Sequence, residues 1–220
     1  MIHYDRRRQS LATALAALAG FVDAIGFVKL GGLFVSFMSG NTTRMAVGLA
    51  GGSAVAAIAA GLIAAFAAGV VLGALVAAAT GTARKMAVLS LTAALLAVAA
   101  AMDRFIAGGW TALAMAAAMG TINNVFLRNG EVSVGVTYMT GTLVKLGQRI
   151  AAVVLGDDAD GWIAYLRLWL GLLAGAVSGA MLYPRIGSLS VALAAAGAAV
   201  LALIARRMGP SEPYPRRTHQ

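Results

Sequence analysis

The sequence predicts an all-α polytopic membrane protein of about six transmembrane helices in two inverted three-helix repeats, each containing a broken segment of extended strand plus half-helix. Three observations predict it. The 220 residues are 60% hydrophobic and 11% charged, and several apolar runs reach the roughly 20 residues that cross a bilayer. One such run, 33–52, breaks in its middle, where Ser39, Gly40, Asn41, Thr42, Thr43 and Arg44 interrupt the apolar pattern. That interruption returns about a hundred residues later: Phe37-Met-Ser-Gly-Asn-Thr-Thr-Arg44 lies over Tyr138-Met-Thr-Gly-Thr-Leu-Val-Lys145. A duplicated, polar-interrupted membrane segment is the strongest pointer to a transporter-like binding site that a sequence offers.

In chain order, 1–8 make a short basic tail and 10–28 the first apolar helix. Arg6, Arg7 and Arg8 before an alanine-rich run also have the form of a signal peptide, with small residues for cleavage near Ala19 or Ala24. The repeat uses 20–29 as an integral part, which favours a spanning helix. Residues 33–37 and 132–138 are rich in β-branched and aromatic side chains and favour extended backbone. Ser39 or Asn41, and Thr140 or Thr142, are candidate N-caps for the half-helices that follow. The first half-helix, 42–50, has about half the length of a bilayer core at about 1.5 Å per residue, so its N-terminus belongs near the midplane.

Gly51-Gly52 makes a turn, 53–80 the second helix, 81–85 a polar loop and 86–102 the third helix, with Asp103 and Arg104 marking its far end. Helix four covers 110–127 and carries Asn123 and Asn124; Arg128-Asn-Gly-Glu131 leads into the second broken segment. After a loop at 156–161, helix five covers 162–182, Pro184 breaks it, and helix six covers 188–205. The whole is one membrane domain: repeat one about 9–106, repeat two about 109–207, and a disordered basic tail at 208–220. Besides the broken segments, Gly69xxxGly73 falls on Gly171xxxGly175, and Leu89-Ser-Leu91 on Leu189-Ser-Val191. Three spans per half put the second half in the opposite sense, an inverted repeat. Full crossing by each broken segment would instead give eight spans and parallel repeats.

The formal charge of +9 would suggest nucleic acid in a soluble protein, but the basic residues sit at the ends of apolar runs and report orientation, so no nucleic-acid partner is expected. With both termini cytoplasmic, twelve basic residues fall on the inner half and Lys29, Arg44, Arg104 and Arg185 on the outer. The absence of cysteine excludes disulfides and thiol chemistry, and His3 and His219 lie in the tails, so neither metal nor cofactor is expected. Enzyme chemistry finds no support: there is no HExxH, GxSxG or nucleotide loop, and no carboxylate pair within the spans.

Asp23 lies deep in an apolar helix, where a carboxylate costs on the order of 2.5–3.5 kcal/mol on the insertion scale and needs a partner or water. It reads either as a substrate or proton-coupling group, or as the structural partner of Lys29 or Arg44; its repeat-mate, Asn124, cannot titrate. Gly40 and Gly141 either expose backbone N–H groups to a ligand or permit a close turn. The glycine ladders at 69/73 and 171/175/179 read as packing, and Trp110, Trp162, Tyr165 and Trp169 as interfacial anchors with Arg167 snorkelling beside them.

The run from Gly20 through Asp23 to Ser39-Gly40-Asn41-Thr42 resembles the YoaK-like family of uncharacterised bacterial inner-membrane proteins, also grouped under a domain-of-unknown-function heading. The resemblance centres on the Asp23 helix and the Ser-Gly-Asn-Thr turn. It implies a bacterial multi-spanning protein and no particular reaction.

These observations lead to a small secondary transporter or permease of the bacterial inner membrane for a small polar, anionic solute. The expected site gathers Asp23, Ser39, Gly40, Asn41, Thr42 and Arg44 from one half with Asn123, Asn124, Tyr138, Thr140, Gly141, Thr142 and Lys145 from the other. Each half-helix N-terminus carries roughly half a positive charge, so Arg44 and Lys145 in the first turns add positive potential that an anion relieves. Glu131 competes for that role, being within reach of Lys145 or Arg128. A membrane scaffold or regulatory partner, and a passive channel, are the other two readings. The bilayer is the expected partner, and a homo-oligomer is compatible with the small-residue helix faces.

Overall fold

A computed structural model describes residues 5–105, 109–128, 131–156 and 161–209. Eight helices account for most of them: α1 Arg6–Lys29, α2 Met38–Ala50, α3 Val55–Thr80, α4 Arg84–Phe105, α5 Trp110–Thr121, α6 Met139–Val154, α7 Trp162–Ile186 and α8 Ser188–Arg207. Two short strands, β1 Leu127–Arg128 and β2 Glu131–Val132, pair antiparallel with Leu127 opposite Val132. Four helical stretches are long and apolar enough to cross a membrane: Arg6–Lys29, Val55–Phe105, Trp162–Ile186 and Ser188–Arg207. The 51-residue stretch Val55–Phe105 contains both α3 and α4, separated by a 3-10 turn at Gly81–Ala83.

Burial explains why these helices form one bundle. α1 packs chiefly against α7, α5 against α3, and α4 against α8. Leu15, Ile25, Leu62, Leu89, Leu96, Met115, Met119 and Leu168 fill the centre, while Val71, Leu75, Val200 and Leu203 point outward, as side chains facing lipid must. Bilayers give little hydrophobic drive for helix association, so close backbone approach carries the packing. A Cβ on Gly69 or Gly73 would run into the backbone of Ala117 or Thr121, and one on Gly175 or Gly179 into that of Ala17 or Phe21. The packing reading of the glycine ladders holds.

Several boundaries differ from expectation, each for a local reason. α1 starts at Arg6 rather than at 10, because the Asp5 carboxylate accepts the Arg8 amide at 2.7 Å and caps the helix. α4 likewise starts at Arg84, before the expected 86. The fourth predicted helix stops at Thr121 and tightens into a 3-10 turn at Ile122–Asn124. There Asn123 Nδ2 donates to Met119 O at 3.0 Å and Asn124 Nδ2 to Val70 O at 3.1 Å, side-chain bonds that compete with helix continuation.

Pro184 does not break α7, which runs on to Ile186. Proline costs a helix the bond to the carbonyl four residues back, and this one sits in the last turn, where little helix remains to be disrupted. Gly187, at φ 51°, ends it, donating its amide to Tyr183 O at 2.9 Å. Gly81 takes the same left-handed φ, 52°, between α3 and α4. The expected disordered tail and the 156–161 loop lie mostly outside the described residues.

Candidate functional site

At the first break, the chain leaves α1 through Gly31 and Gly32, both at positive φ, and reaches Phe37 without helix or strand, bending at Val35 and Ser36 where an extended strand was expected. Buried backbone outside helix and strand needs partners for its amides and carbonyls. Two side chains provide them. Asp23 Oδ1 accepts the amides of Val35 at 2.8 Å and Ser36 at 2.7 Å. Asn41 is fully buried; its Oδ1 accepts the Phe34 amide at 2.9 Å and its Nδ2 donates to Phe34 O at 2.6 Å. Asp23 therefore pairs with neither Lys29 nor Arg44. Lys29 Nζ bonds Asp103 Oδ1 at 2.5 Å, and the Arg44 guanidinium lies against Gly32.

The half-helices begin at Met38 and Met139, before all four expected caps, Ser39, Asn41, Thr140 and Thr142, which therefore lie inside them. Phe37 and Tyr138 hold the N-cap positions without a side-chain bond. Asn41 clamps Phe34, while Thr42 donates to Met38 O at 2.9 Å and Thr142 to Tyr138 O at 3.3 Å. Ser39 and Thr140 are exposed within the first turns. Phe27 stacks on Phe34 at 5.1 Å and Phe34 on Phe37 at 5.2 Å. A Cβ on Gly40 would strike the Phe37 ring, so glycine lets these rings close over the first break.

The second break is built differently. Asn123, not Asn124, faces the segment that leads into its half-helix, as Asp23 does in the first break: its Oδ1 accepts the Thr137 hydroxyl at 3.1 Å. Asn124 instead turns to Val70 and Gly73 on α3, away from that segment. The buried positions of α1 and α5 run at an offset of 100 residues and the breaks at 101, so the helix register sets Asp23 against Asn123 and the break register sets it against Asn124.

Gly135 stands where the first break has Phe34, and the Tyr138 ring folds back over it. With no ring at 135, a cavity of about 140 Å³ opens, lined by Val132, Ser133, Val134, Gly135, Tyr138, Gly141, Thr142 and Lys145, with Tyr165 and Leu168 of α7. That is room for about four or five waters at ~30 Å³ each, or a small anion. A Cβ on Gly141 would meet nothing within 4 Å. Lys145 is exposed, and no ion pair among the described residues involves Lys145, Arg44 or Glu131.

The predicted residues thus form two clusters rather than one shared site. α2 packs on α3 and α6 on α7, and no residue of the first break lines the cavity of the second. Lys145, Tyr138, Gly141 and Thr142 meet there; Asp23 and Asn41 hold backbone instead. Sequence reasoning missed Gly135 and Tyr165, the latter expected only as an interfacial anchor. Laying Phe34 over Gly135 in the repeat would have signalled the cavity.

The family model for proteins of unknown function designated DUF1275 matches residues 11–204. A UPF0700 transmembrane protein of Rhizobium meliloti (strain 1021) is 37% identical over 195 residues, covering 84% of this chain and 82% of the relative. No solved structure matches. With apolar helices long enough to span a bilayer, a transmembrane relative and a family match over most of its length, the chain is a multi-pass membrane protein that belongs to the DUF1275 family.

Proposed function

We propose that the protein is a small secondary transporter of the bacterial inner membrane that carries a small polar anion without chemical change, with both termini cytoplasmic. The observation that carries this reading is the cavity at the second break, where Gly141 and Thr142 of the first turn of α6 line the space together with Lys145 of the second turn, which has no ion pair among the described residues. A lysine ammonium and a helix N-terminus are both positive; bringing them together favours an anionic occupant, with the Tyr138 and Tyr165 hydroxyls as donors.

Two inverted repeats are part of the proposal, and burial supports them. The buried positions of α4 pair in order with those of α8, from Arg84 and Ser190 through Val88 and Ala194, Leu89 and Ala195, to Ala99 and Ala205. Those of α1 pair likewise with α5, from Leu11 and Thr111 to Gly20 and Gly120. α1 packs on α7 as α5 packs on α3, so each half completes the other. This register replaces the match of Leu89-Ser-Leu91 to Leu189-Ser-Val191, in which a buried leucine would fall on one that is 63% exposed.

The test is uptake by the purified protein in liposomes of small carboxylates and phosphates, with counterflow by preloaded vesicles. Saturable counterflow that is lost in Lys145→Gln supports a transporter. Flux that does not saturate makes it a channel, and no flux for any anion that shifts its melting temperature leaves the scaffold reading.

A further inference from the structure

The two halves differ where α1 meets α8. Its counterpart, α5 against α4, is closed: the Thr92 and Thr121 hydroxyls hydrogen-bond at 2.7 Å in a buried contact between the helices. Between α1, α7 and α8 lies an apolar groove of about 570 Å³. It continues past Ala14 and Leu201 into a second space of about 580 Å³ whose mouth carries Arg6, Arg7 and Arg207. Side-chain size explains the opening. In the register of buried positions, Ala194 and Gly197 of α8 take the places of Val88 and Leu91 of α4. A Cβ on Gly197 would meet only the Leu18 side chain, at 3.9 Å.

We infer that this groove is a binding site for one anionic phospholipid of the leaflet at which α1 begins and α8 ends. Its headgroup phosphate sits among Arg6, Arg7 and Arg207, with an acyl chain along Ala14, Leu18, Gly197 and Leu201. The charge pattern selects the occupant: three guanidiniums with no ion pair among the described residues lie at one end, and the rest of the groove is lined almost wholly by apolar side chains. Arginine forks match phosphate oxygens, and basic pockets between membrane helices recognise anionic headgroups for this reason. Asp5, the nearest acid in the chain, already accepts the Arg8 amide. A second copy of the chain would bring its own Arg6, Arg7 and Arg207 toward any shared face, which disfavours it as the occupant.

The experiment is native mass spectrometry of the full-length protein released from detergent, titrated with dioleoylphosphatidylglycerol and dioleoylphosphatidylcholine. The parent should retain one phosphatidylglycerol, favoured about tenfold or more over phosphatidylcholine. The triple variant Arg6→Gln/Arg7→Gln/Arg207→Gln should lose that preference. Gly197→Leu, which restores the bulk found at Leu91, should lose the bound lipid of either kind. Equal retention of the two lipids by the parent overturns the assignment. So does undiminished phosphatidylglycerol on Gly197→Leu, or a dimer mass that Gly197→Leu abolishes. Should Gly197→Leu fail to fold, the arginine variant, altered only at exposed helix ends, decides alone.

Discussion

The Lys29 ammonium donates to the Asp103 carboxylate at 2.5 Å and joins the last turn of α1 to the last turn of α4. The two side chains are 22% and 5% exposed, so the pair is too buried to be a loose surface contact. It has a topological consequence. If α1 and α4 end on one side, the single span α3 between them must return to the other, and α2 cannot cross as well. In the first half this favours the proposed layout, with α1, α3 and α4 crossing and α2 not. Because the chain has no cysteine, single cysteines report without background. One at Ser53 should react with an impermeant reagent from the periplasm and one at Thr82 only from the cytoplasm. Reversed labelling overturns the orientation, and labelling of both from one side overturns the crossing number.

Asp23 holds the amides of Val35 and Ser36 between α1 and α2, and that role makes a graded prediction. Asparagine keeps an oxygen for the Val35 and Ser36 amides but loses the charge that strengthens both bonds, so Asp23→Asn should cost about 1–2 kcal/mol. Leucine leaves both amides without an acceptor, and Asp23→Leu should cost about 2–6 kcal/mol, enough to lower expression. Thermal unfolding in detergent ranks the two. Equal losses for both would mean that the carboxylate does not anchor this segment.

Much of this was legible in the residues. The polar run from Ser39 to Arg44 inside an apolar stretch marked this segment as interrupted, although the run itself lies within α2 and the non-helical stretch precedes it at 30–37, and Gly69 and Gly73 announced close packing. The register between halves was not. The connection after α6 is longer than the Gly51–Ala54 turn after α2, so one fixed offset cannot align both the breaks and the later helices. Alanine-rich helices hide the resulting slip. Asp103 was readable only as a helix end, since its partner lies 74 residues away and no local spacing connects them.

Gly40 and Gly141 occupy one place in the repeat and should answer differently to one methyl group. Gly40→Ala drives a Cβ into the Phe37 ring and should cost about 1–3 kcal/mol, as overpacking does. Gly141→Ala meets open space and gains helix propensity of up to about 1 kcal/mol over glycine. Melting temperatures should therefore fall for Gly40→Ala and hold or rise for Gly141→Ala. A fall of equal size in both would show that the second break is as tightly filled as the first.

Lys145 and Arg44 are each the seventh residue of their helix, α6 and α2, a turn further in than the first turns expected from the sequence, and Lys145 lines the cavity at the second break. Arg44 rests against Gly32 beside a break closed by Phe34 and Phe37. Lys145→Gln should weaken binding of a small carboxylate or phosphate about tenfold or more, the loss of one charge-assisted hydrogen bond, while Arg44→Gln should leave it within about twofold. Gly135→Phe supplies the ring that the first break has at Phe34. It should abolish binding with little loss of stability, because Tyr138, 53% exposed, can swing outward to admit it. Isothermal titration with whichever anion raises the parent's melting temperature measures all three. If Arg44→Gln weakens binding as much as Lys145→Gln, the site spans both half-helices. If Gly135→Phe binds as the parent does, the occupant lies outside this cavity and the proposed site is wrong.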